Sequence, residues 1–374
     1  MDLLELRGKL DTLDSQLVAL YEERMAICAQ VAQYKLANGK KVFDKQRELE
    51  KLTAVKSLTH NEFNRLGIEE LFEQIMAMSR KLQYQMLSEH EQTGRLPFIP
   101  VETLEGEKVR VVFQGAPGAY SHAAMLRFFG EQVDSIHVET FRDAMSVIEE
   151  GRADFAVLPI ENSTAGMVSE IYDLLVEFEN YIVGEQIIPI EHCLLGVPGA
   201  ELSDIKTVYS HAQSLMQSER FLRDRDYRQI SMKNNAFAAD KVAKDADKSQ
   251  AAIASEIAAQ IYGLEVLQKG VNDSDTNSTR FIIVTNQKIF RKDAGKISIC
   301  FEIPHKSGSL YHIISHFIYN NLNMTKIESR PIPERNWEYR FFVDFEGNMA
   351  DGAVKNALRG LREEALNLKV LGNY

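Results

Sequence analysis

Polar side chains interrupt the apolar rows of a strongly helical N-terminal segment. Arg24 occupies a position in the apolar row that contains Leu17 and Val31, and Lys35 follows 11 residues after Arg24. That spacing is close to three full turns of an α-helix, so the two cations lie on nearly the same face. A buried arginine is costly unless it is paired, and its planar fork of donors suits a carboxylate. Arg24 and Lys35 therefore indicate a site for an anion.

Hydroxyl, amide and carboxylate side chains occur at helical spacing in the two helices predicted next. Ser79 interrupts an apolar row, and Gln83 follows it at i+4. Asp44 and Glu48 form another i, i+4 pair, with Arg47 beside them. Singly, each is explained by a solvated helix face or by a polar residue that fixes the register of a coiled coil. Together, they describe a polar pocket for an anion that carries hydroxyl groups.

Four short motifs in the middle of the chain adjoin predicted strands. Residues 114–122, 159–164 and 210–213 each stand between a strand and a helix, and residues 277–281 lead into a strand. Free N–H groups at a helix start attract anions, although helix capping by Ser, Thr or Asn explains each motif taken alone. The sequence has no GxGxxG, no GxSxG and no cluster with metal-ligand spacing at these motifs. We therefore expect neither a dinucleotide cofactor nor a metal.

A framework of helices must position the first polar set. Apolar residues recur with a heptad-like period as far as about Leu36, where Ala-Asn-Gly indicates a helix end. Two further helices are predicted near residues 43–57 and 62–88. A first helix of about 34 residues is about 50 Å long at 1.5 Å per residue. Such a helix cannot bury its apolar rows alone, so a partner chain is expected.

The remainder of the chain divides into a linker and two regions of mixed structure. Glycine and proline interrupt residues 91–107, which are predicted to be the linker. Residues 108–286 alternate short apolar strands with helices, as in α/β domains. Their predicted strands are 109–113, 154–158, 182–190, 207–211, 251–255 and 280–285. Residues 296–374 show the order β-α-β-β-α-β of a ferredoxin-like fold, with helices at 308–320 and 351–365. Their predicted strands are 297–303, 324–331, 337–345 and 368–372.

Composition limits the classes of partner. Lys and Arg number 43 against 54 Asp and Glu, and the net charge of −11 disfavours nucleic acid or an anionic membrane as the main partner. Hydrophobic residues make up 45% of the 374 residues, as in ordinary globular proteins. Three distant cysteines form no disulfide framework, and no run has the length of a membrane span or the pattern of a signal peptide. A cytoplasmic protein is expected.

The N-terminal polar set resembles the active-site pattern of the all-helical chorismate mutases, in which two chains intertwine through a long first helix. The matching residues are Arg7, Arg24, Lys35, Asp44, Arg47, Glu48, Ser79 and Gln83. The resemblance implies conversion of chorismate to prephenate, a pericyclic rearrangement that needs no nucleophile. In the family's scheme, Arg24 and Arg7 of the partner subunit hold the two carboxylates. Lys35 and Gln83 face the breaking ether oxygen, and Glu48 and Asp44 act on the side of the ring hydroxyl.

The motifs of the central region resemble those of prephenate dehydratases over roughly residues 108–285. The resemblance implies two α/β lobes with the substrate in the cleft, and loss of CO₂ and the ring hydroxyl together to give phenylpyruvate. Thr279 is the implied catalytic residue, because the departing hydroxide needs a proton or a strong hydrogen bond, and Glu161 is a candidate partner for it. The implied substrate-binding residues are Tyr120, Ser121, Glu161, Asn162, Ser163, His211, Gln213, Thr279, Arg280 and Phe281.

Two motifs of the third region resemble the effector motifs of ACT regulatory domains, in which phenylalanine binds between paired domains. They are Ser307, Gly308, Ser309 and Leu310 at the start of the first helix, and Glu328, Ser329, Arg330 and Pro331 at the end of the second strand. Ser307 stands where the family often has proline, and Ser309 where alanine is common. The resemblance implies allosteric inhibition by phenylalanine.

The three regions together resemble the bifunctional chorismate mutase–prephenate dehydratases that carry an ACT domain. The predicted fold is multidomain: an intertwined all-α mutase domain at 1–90, a two-lobed α/β dehydratase domain at 108–286 and a ferredoxin-like α+β ACT domain at 296–374. The expected ligands are chorismate, prephenate and phenylalanine, and the expected assembly is a homodimer or a higher homo-oligomer. Two alternatives stay open. Either one activity alone is retained or arogenate replaces prephenate, or the chain is a non-catalytic amino-acid sensor of similar architecture.

Overall fold

The computed structural model describes residues 2–90, 98–104, 109–306 and 308–374. Residues 91–97 and 105–108, which include most of the predicted linker, lie outside the described residues, as does the predicted effector residue Ser307. The chain forms two compact units. The first unit consists of Met1–Pro97 and Phe301–Leu368, and the second unit consists of Phe98–Cys300 and Lys369–Tyr374.

A purely helical beginning is followed by alternating helices and strands. The helices are α1 (Leu3–Ala37), α2 (Lys45–Ser57), α3 (Glu62–His90), α4 (Tyr120–Phe129), α5 (Phe141–Glu149), α6 (Ser169–Glu177), α7 (Ala212–Met216), α8 (Glu219–Arg223), α9 (Asn235–Asp245), α10 (Glu256–Tyr262), α11 (Ser309–Tyr319) and α12 (Gly352–Glu364). The strands are β1 (Ile99–Val101), β2 (Arg110–Gln114), β3 (Asp134–Val138), β4 (Phe155–Asn162), β5 (Gly166–Met167), β6 (Tyr181–Pro189), β7 (Cys193–Gly196), β8 (Thr207–His211), β9 (Arg228–Met232), β10 (Gln250–Ala254), β11 (Glu265–Gln268), β12 (Ser278–Thr285), β13 (Ile289–Arg291), β14 (Lys296–Glu302), β15 (Met324–Pro331), β16 (Tyr339–Glu346) and β17 (Leu366–Asn373). None of the helices within the described ranges combines the length and the apolar character that crossing a lipid bilayer requires.

Three long helices open the first unit and confirm the three that were predicted. α1 ends before Gly39, which has a φ of +61°, and the Asp44 side chain caps α2 by accepting the backbone N–H of Arg47 at 3.1 Å. α3 packs against both α1 and α2. The apolar rows of α1 are nevertheless exposed, by 58% at Leu10 and 59% at Leu17. These rows are therefore open to a partner helix.

The second part of the first unit runs from the end of β14 to the beginning of β17. The order β14-α11-β15-β16-α12-β17 confirms the predicted β-α-β-β-α-β succession. Glu302, at the end of β14, accepts hydrogen bonds from Arg340 at 2.7 Å and from Arg335 at 2.5 Å. Its side chain is only 2% exposed, so this carboxylate is a buried charge that two cations neutralise. The pairs fix β16 and the loop before it to the end of β14.

Two large sheets, each with its own apolar core, and a two-stranded sheet of β1 and β13 belong to the second unit and confirm its α/β character. Within this unit the larger sheet has the order β14-β17-β6-β12-β4-β2-β3, in which β14 belongs to the unit as far as Cys300 and β17 from Lys369 onward. The smaller sheet has the order β11-β7-β10-β8-β9. Val157 and Ile283 lie in the core of the larger sheet, and Leu195 and Ala252 lie in the core of the smaller one. The chain passes to the smaller sheet after β6 and returns at β12, so two crossings join the lobes.

Candidate functional sites

A cavity of about 420 Å³ lies between the two lobes of the second unit. The larger sheet contributes the ends of β4 and β12, the smaller one contributes the segments after β8 and β9, and helices α4 and α9 begin at the cavity wall. The predicted residues that line it are Tyr120, Ser121, Asn162, His211, Gln213, Thr279 and Phe281. The fold thus brings side chains from four separate motifs to one cavity.

The orientation of the Thr279 hydroxyl depends on Asn162, which lies opposite it in the antiparallel pair of β12 and β4. The carboxamide oxygen of Asn162 accepts the backbone N–H groups of Thr164 at 3.1 Å and Ala165 at 2.9 Å. These contacts fix the amide so that its Nδ2 donates to Thr279 Oγ1 at 2.9 Å. Since Oγ1 already accepts this bond, the single proton of the hydroxyl is left to donate into the cavity.

Two predicted residues next to this pair point to the other face of the sheet, because side chains alternate along a strand. Arg280 contacts Glu161 at 3.2 Å, and neither is among the described residues that line the cavity. Glu161, the candidate partner of Thr279, is thus paired with Arg280 instead. Ser163 is also absent from the described lining: its hydroxyl accepts the Ser278 N–H at 2.9 Å and closes the turn after β4.

The glycine-containing motif at residues 114–122 places the start of α4 at the cavity. Gly118 has a φ of +90°, and a Cβ there would lie 2.9 Å from the Cα of Ala258, so a larger residue does not fit. Ser121 Oγ donates to the carbonyl oxygen of Gln114 at 2.5 Å. The hydroxyl therefore closes the turn between β2 and α4 and fixes the first N–H groups of that helix at the cavity wall.

His211 and Gln213 reach the cavity from the turn between β8 and α7. His211 Nδ1 accepts the backbone N–H of Gln213 at 3.3 Å, and the Asn235 side chain accepts the backbone N–H of His211 at 3.1 Å. The start of α9 thereby holds the start of α7. Sequence reasoning missed three residues of this wall, Lys233, Asn234 and Asn235. Two consecutive asparagines after a strand are a helix-cap signal that could have indicated it.

His192 and Gln217 also line the cavity and were also missed. His192 is 1% exposed, and its Nδ1 lies 2.8 Å from the Tyr120 hydroxyl while its Nε2 lies 3.2 Å from Gln217 Oε1. Burial lowers the pKa of His192 to about 4, against the opposing effect of its hydrogen bond with Gln217. The imidazole is therefore neutral near pH 7. Gln217 stands at i+4 from Gln213, which is a detectable spacing, whereas no pattern distinguishes His192.

In the first unit, the helices bring together part of the predicted N-terminal polar set. Arg24 Nη1 donates to Ser79 Oγ at 2.6 Å, and Lys35 Nζ donates to the carbonyl oxygen of Val42 at 2.6 Å. Burial lowers the pKa of Lys35, although nearby carboxylates act in the opposite direction. Gln83 is 6% exposed, and its buried amide oxygen has no hydrogen-bond partner within the described residues. Arg24, Lys35 and Gln83 thus provide two cations and an amide in a partly buried environment.

Glu48 of the same set forms an ion pair that the sequence did not predict. Arg80 contacts Glu48 at 2.5 Å and Glu364 at 2.9 Å, and its side chain is 11% exposed. Arg80 therefore joins α2 to the end of α12 and holds the Glu48 carboxylate in one orientation. The remaining members of the predicted set, Arg7, Asp44 and Arg47, are exposed.

The first unit contains a cavity of about 560 Å³ beside the start of α11. Gly308, Ser309 and Leu310 line it together with Tyr339 and Phe341 of β16. Gly308 has a φ of +80° and precedes the first residue of α11. The predicted residues Glu328, Ser329, Arg330 and Pro331 lie in β15 and are not among the described lining residues.

Two family models match separate parts of the chain. The model of chorismate mutase type II matches residues 6–84, and the model of prephenate dehydratase matches residues 111–289. A bifunctional chorismate mutase/prephenate dehydratase of Escherichia coli strain K12 is 33% identical over 381 aligned residues, which cover 100% of this chain and 96% of that protein. The chain belongs to the family of bifunctional chorismate mutase/prephenate dehydratases.

Further relatives of this bifunctional family match the region beyond the N-terminal helices. Arogenate dehydratase/prephenate dehydratase 1 of Arabidopsis thaliana is 39% identical over 286 residues, covering 72% of this chain and 73% of that protein. The crystal structure of prephenate dehydratase from Arthrobacter aurescens in complex with L-Phe has a TM-score of 0.66 and 29% identity, covering 71% of this chain and 89% of that one. The N-terminal polar set lies within the mutase match, and the residues named above for the 420 Å³ cavity lie within the dehydratase match.

Proposed function

We propose that this chain is a bifunctional enzyme of phenylalanine biosynthesis, which rearranges chorismate to prephenate and then converts prephenate to phenylpyruvate. The identity with the E. coli enzyme extends along the whole chain, so both activities have a counterpart here. The observation that carries the dehydratase assignment is the orientation of Thr279, whose hydroxyl accepts from Asn162 and keeps its proton for the cavity. The mutase assignment rests on Arg24 and Lys35, which share one helix face at a partly buried site.

The mutase reaction needs a fixed, charged pocket because a pericyclic rearrangement involves no nucleophile. Arg24, which Ser79 holds in place, supplies a fork of donors for a substrate carboxylate. Lys35 supplies a cation and Gln83 supplies an amide for the ether oxygen, on which negative charge develops as the C–O bond breaks. Glu48 acts on the side of the ring hydroxyl, where its ion pair fixes its position.

The dehydratase reaction needs help for a departing hydroxide. The electron pair of the bond to the ring carboxylate moves into the ring and expels the hydroxyl at the opposite carbon, so that CO₂ and hydroxide leave and the ring becomes aromatic. Thr279 donates a hydrogen bond to the oxygen that gains charge in this step. Full transfer of its proton is unnecessary, because solvent protonates the released hydroxide.

Helix N-termini and one cation give the cavity an attraction for a dianion such as prephenate. α4 and α9 begin at the wall, so their first N–H groups carry partial positive charge there. The Lys233 side chain is 77% exposed at the same wall and contacts Glu139 at 3.1 Å. The side chain is thus held at the cavity yet accessible to a substrate carboxylate.

Chorismate turnover tests both halves of the proposal in one assay. The wild type is expected to form prephenate and then phenylpyruvate. Lys35→Ala is expected to lose chorismate turnover and still convert added prephenate, whereas Thr279→Ala is expected to accumulate prephenate. Thr279→Ser keeps the hydroxyl and is the matched control, with dehydratase turnover largely retained. Wild-type chain that leaves chorismate unchanged, or full phenylpyruvate formation by Thr279→Ala, overturns the corresponding half.

We further propose a dimer in which the α1 helices of two copies intertwine and the partner subunit's Arg7 completes the mutase site. Leu13, Leu17 and Leu20 are 54%, 59% and 61% exposed, and burial of such rows is the main driving force for association. Leu13→Glu is expected to dissociate the dimer in analytical ultracentrifugation and to abolish mutase turnover, with dehydratase turnover retained. Lys9→Glu, at an exposed position outside the apolar rows, is the control. A dimer that persists in Leu13→Glu contradicts this arrangement.

Residues 296–374 are proposed to form a ferredoxin-like ACT domain that binds phenylalanine and inhibits the enzyme. The element order and the cavity lined by Gly308, Ser309 and Leu310 support this, as does the phenylalanine complex of the Arthrobacter relative. Calorimetry is expected to detect phenylalanine binding to the wild type. Gly308→Ala places a side chain at a positive φ and should weaken binding, whereas Gly352→Ala, in open space at the start of α12, should not. Absence of binding to the wild type overturns the proposal.

The proposed boundaries are 1–90 for the mutase domain, 91–107 for the linker, 108–286 for the dehydratase domain and 296–374 for the ACT domain, in a cytoplasmic enzyme. Arogenate is a second candidate substrate, because the Arabidopsis relative is named as both an arogenate and a prephenate dehydratase. Comparison of kcat/KM for prephenate and arogenate decides between them. A preference for prephenate is expected, because the chain supplies that compound from its own mutase site.

A further inference from the structure

A hydrogen-bond chain leads from the buried His192 through the half-buried Gln217, the exposed Thr164 and the half-buried Asn162 to the Thr279 hydroxyl, and the backbone fixes its direction. The N–H groups of Thr164 and Ala165 donate to the side-chain oxygen of Asn162, so Asn162 Nδ2 must be the donor to its other neighbours. One of these is the side-chain oxygen of Asn277, at 2.8 Å. Asn277 Nδ2 is in turn 3.2 Å from Gln217 Oε1 and donates to it. The orientations of both amides, the half-buried Asn162 and the buried Asn277, are thus fixed.

The orientation of Gln217 determines the tautomer of His192. Gln217 Oε1 is an acceptor, so His192 Nε2, at 3.2 Å, must carry the proton. His192 Nδ1 then accepts the Tyr120 hydroxyl at 2.8 Å, and the same hydroxyl lies 2.9 Å from the carbonyl oxygen of Glu191 as a second acceptor. Burial raises the pKa of Tyr120 well above its ordinary value and lowers the pKa of His192 to about 4. Near pH 7, therefore, the tyrosine keeps its proton and the histidine carries a single one.

From Gln217 the chain continues in the same direction to the reacting hydroxyl. Gln217 Nε2 donates to Thr164 Oγ1 at 3.1 Å, and the Thr164 hydroxyl donates to the side-chain oxygen of Asn162 at 2.8 Å. Asn162 Nδ2 donates to Thr279 Oγ1 at 2.9 Å. Along the chain from Tyr120 to Thr279, each group thus donates a hydrogen bond to the next one. Hydrogen bonds aligned in one direction polarise one another, which makes the last hydroxyl a stronger donor.

We propose that His192 is a positioning residue of the dehydratase site, which acts through Gln217, Thr164 and Asn162 to direct the Thr279 proton at the departing hydroxyl. The inference rests on the proposed dehydratase function and assigns to that site a residue that does not itself supply the proton. A neutral imidazole with both nitrogens bonded to protein groups has no proton to transfer to a substrate. His192 Nε2–H instead supplies the donor to Gln217 Oε1 from which the aligned bonds continue to Thr279.

Substitutions at His192 separate positioning from packing. His192→Leu removes one of the two donors to Gln217 Oε1, the other being Asn277 Nδ2, and so removes the polarising effect of His192 on the chain; kcat for prephenate should fall by about 10-fold. KM should change little, because His192 contributes no charge to substrate binding. His192→Gln retains an amide donor near the position of Nε2 and should restore most of kcat. Chorismate mutase turnover of each variant and its thermal unfolding report whether the chain is folded.

A double-mutant cycle measures the coupling in kcat between His192 and Asn162, which a loss of packing alone would not produce. Asn162→Asp removes the donor to Thr279 and interrupts the chain beyond His192, so adding His192→Leu to it should lower kcat little further. Multiplicative losses in the double variant, unchanged kcat in His192→Leu, or no difference between His192→Leu and His192→Gln overturns the positioning role. Failure of the wild type to form phenylpyruvate from prephenate refutes instead the function on which the inference rests.

Discussion

Asn162→Asp tests whether the direction of one hydrogen bond governs dehydration. In the wild type, Asn162 Nδ2 donates to Thr279 Oγ1 at 2.9 Å, and the carboxamide oxygen accepts backbone N–H groups at 3.1 and 2.9 Å. A carboxylate of the same shape keeps the second set of contacts but has no proton to donate. The Thr279 hydroxyl then becomes the donor to that carboxylate, and its proton turns away from the cavity.

The expected loss in kcat follows from the hydrogen bond that the reoriented Thr279 hydroxyl no longer donates to the substrate. Loss of one preorganised donor to an oxygen that gains charge in the transition state reduces kcat by about 10²–10³, or ~2.7–4 kcal/mol. Thr279 is 9% exposed, so bulk water does not readily replace the missing bond. Because Asn162→Asp and Thr279→Val disable the same donor, each should cost a similar factor, and the double variant should be no slower than either. The added negative charge should separately raise KM for a dianionic substrate.

The assay is initial-rate formation of phenylpyruvate from saturating prephenate, with chorismate turnover of the same preparation as the internal control. Thr164→Val is a graded companion variant, because it removes one of the donors to Asn162 and leaves the backbone N–H groups in place. Its loss in kcat should be smaller. If Asn162→Asp retains kcat within about threefold of the wild type while Thr279→Val is inactive, the direction of this hydrogen bond does not matter and the reasoning is wrong.

Three further predictions concern the first unit. Lys35 acts in its protonated form, and burial lowers its pKa. In a pH–rate profile, mutase kcat/KM should therefore begin to fall at a pH below the ordinary lysine pKa of about 10.4. In Lys35→Arg, the fall should occur at a higher pH. Arg80→Met leaves the half-buried Glu48 and Glu364 without this cation, although Glu364 keeps its contact with His316, and should lower the free energy of unfolding by about 3 kcal/mol in chemical denaturation. Burial disfavours the ionised form of Glu302, but its arginine partners outweigh this effect and hold its pKa below the ordinary value. The free energy of unfolding of the wild type should therefore exceed that of Glu302→Gln above about pH 4.3. This difference should disappear as the pH falls through the lowered pKa of Glu302.

All six strands that were predicted in the second unit lie in the interior of the two larger sheets, although the interior strand β7 was missed. The six strands predicted in the second unit correspond to β2, β4, β6, β8, β10 and β12, each of which has a neighbour on both sides. The missed strand β7 lies between β11 and β10 and has only four residues, too few for a clear pattern. Of the other missed strands, β3, β9 and β11 lie at sheet edges, where one side meets water and polar residues interrupt the apolar run. β9, for example, reads Arg-Gln-Ile-Ser-Met. An edge strand is defined by its neighbour, and its own sequence carries little of that information.

Motifs predicted which residues line the 420 Å³ cavity of the second unit better than they predicted the faces of the strands from which side chains enter it. Thr279 and Asn162 were both predicted, and the antiparallel register of β12 and β4 places them opposite each other. The same register turns Arg280 and Glu161 to the other face, where they pair at 3.2 Å. Consecutive residues in a motif look equivalent in sequence, but in a strand only alternate ones share a face. Knowledge of which strand pairs with which was needed to exclude Glu161 as the partner of Thr279.

His192 and Arg80 show why positioning residues are harder to predict than residues that touch the ligand. A ligand-binding residue must carry a group of suitable chemistry, so its type limits the choice. Arg80, however, reads as an ordinary cation on a helix, and its importance depends on carboxylates 32 and 284 positions away, at Glu48 and Glu364. His192 likewise depends on an amide 25 positions away, whose orientation is set in turn by backbone N–H groups after β4. The direction of donation along such a hydrogen-bond chain depends on all of its members, so it cannot be predicted from the type of any one residue.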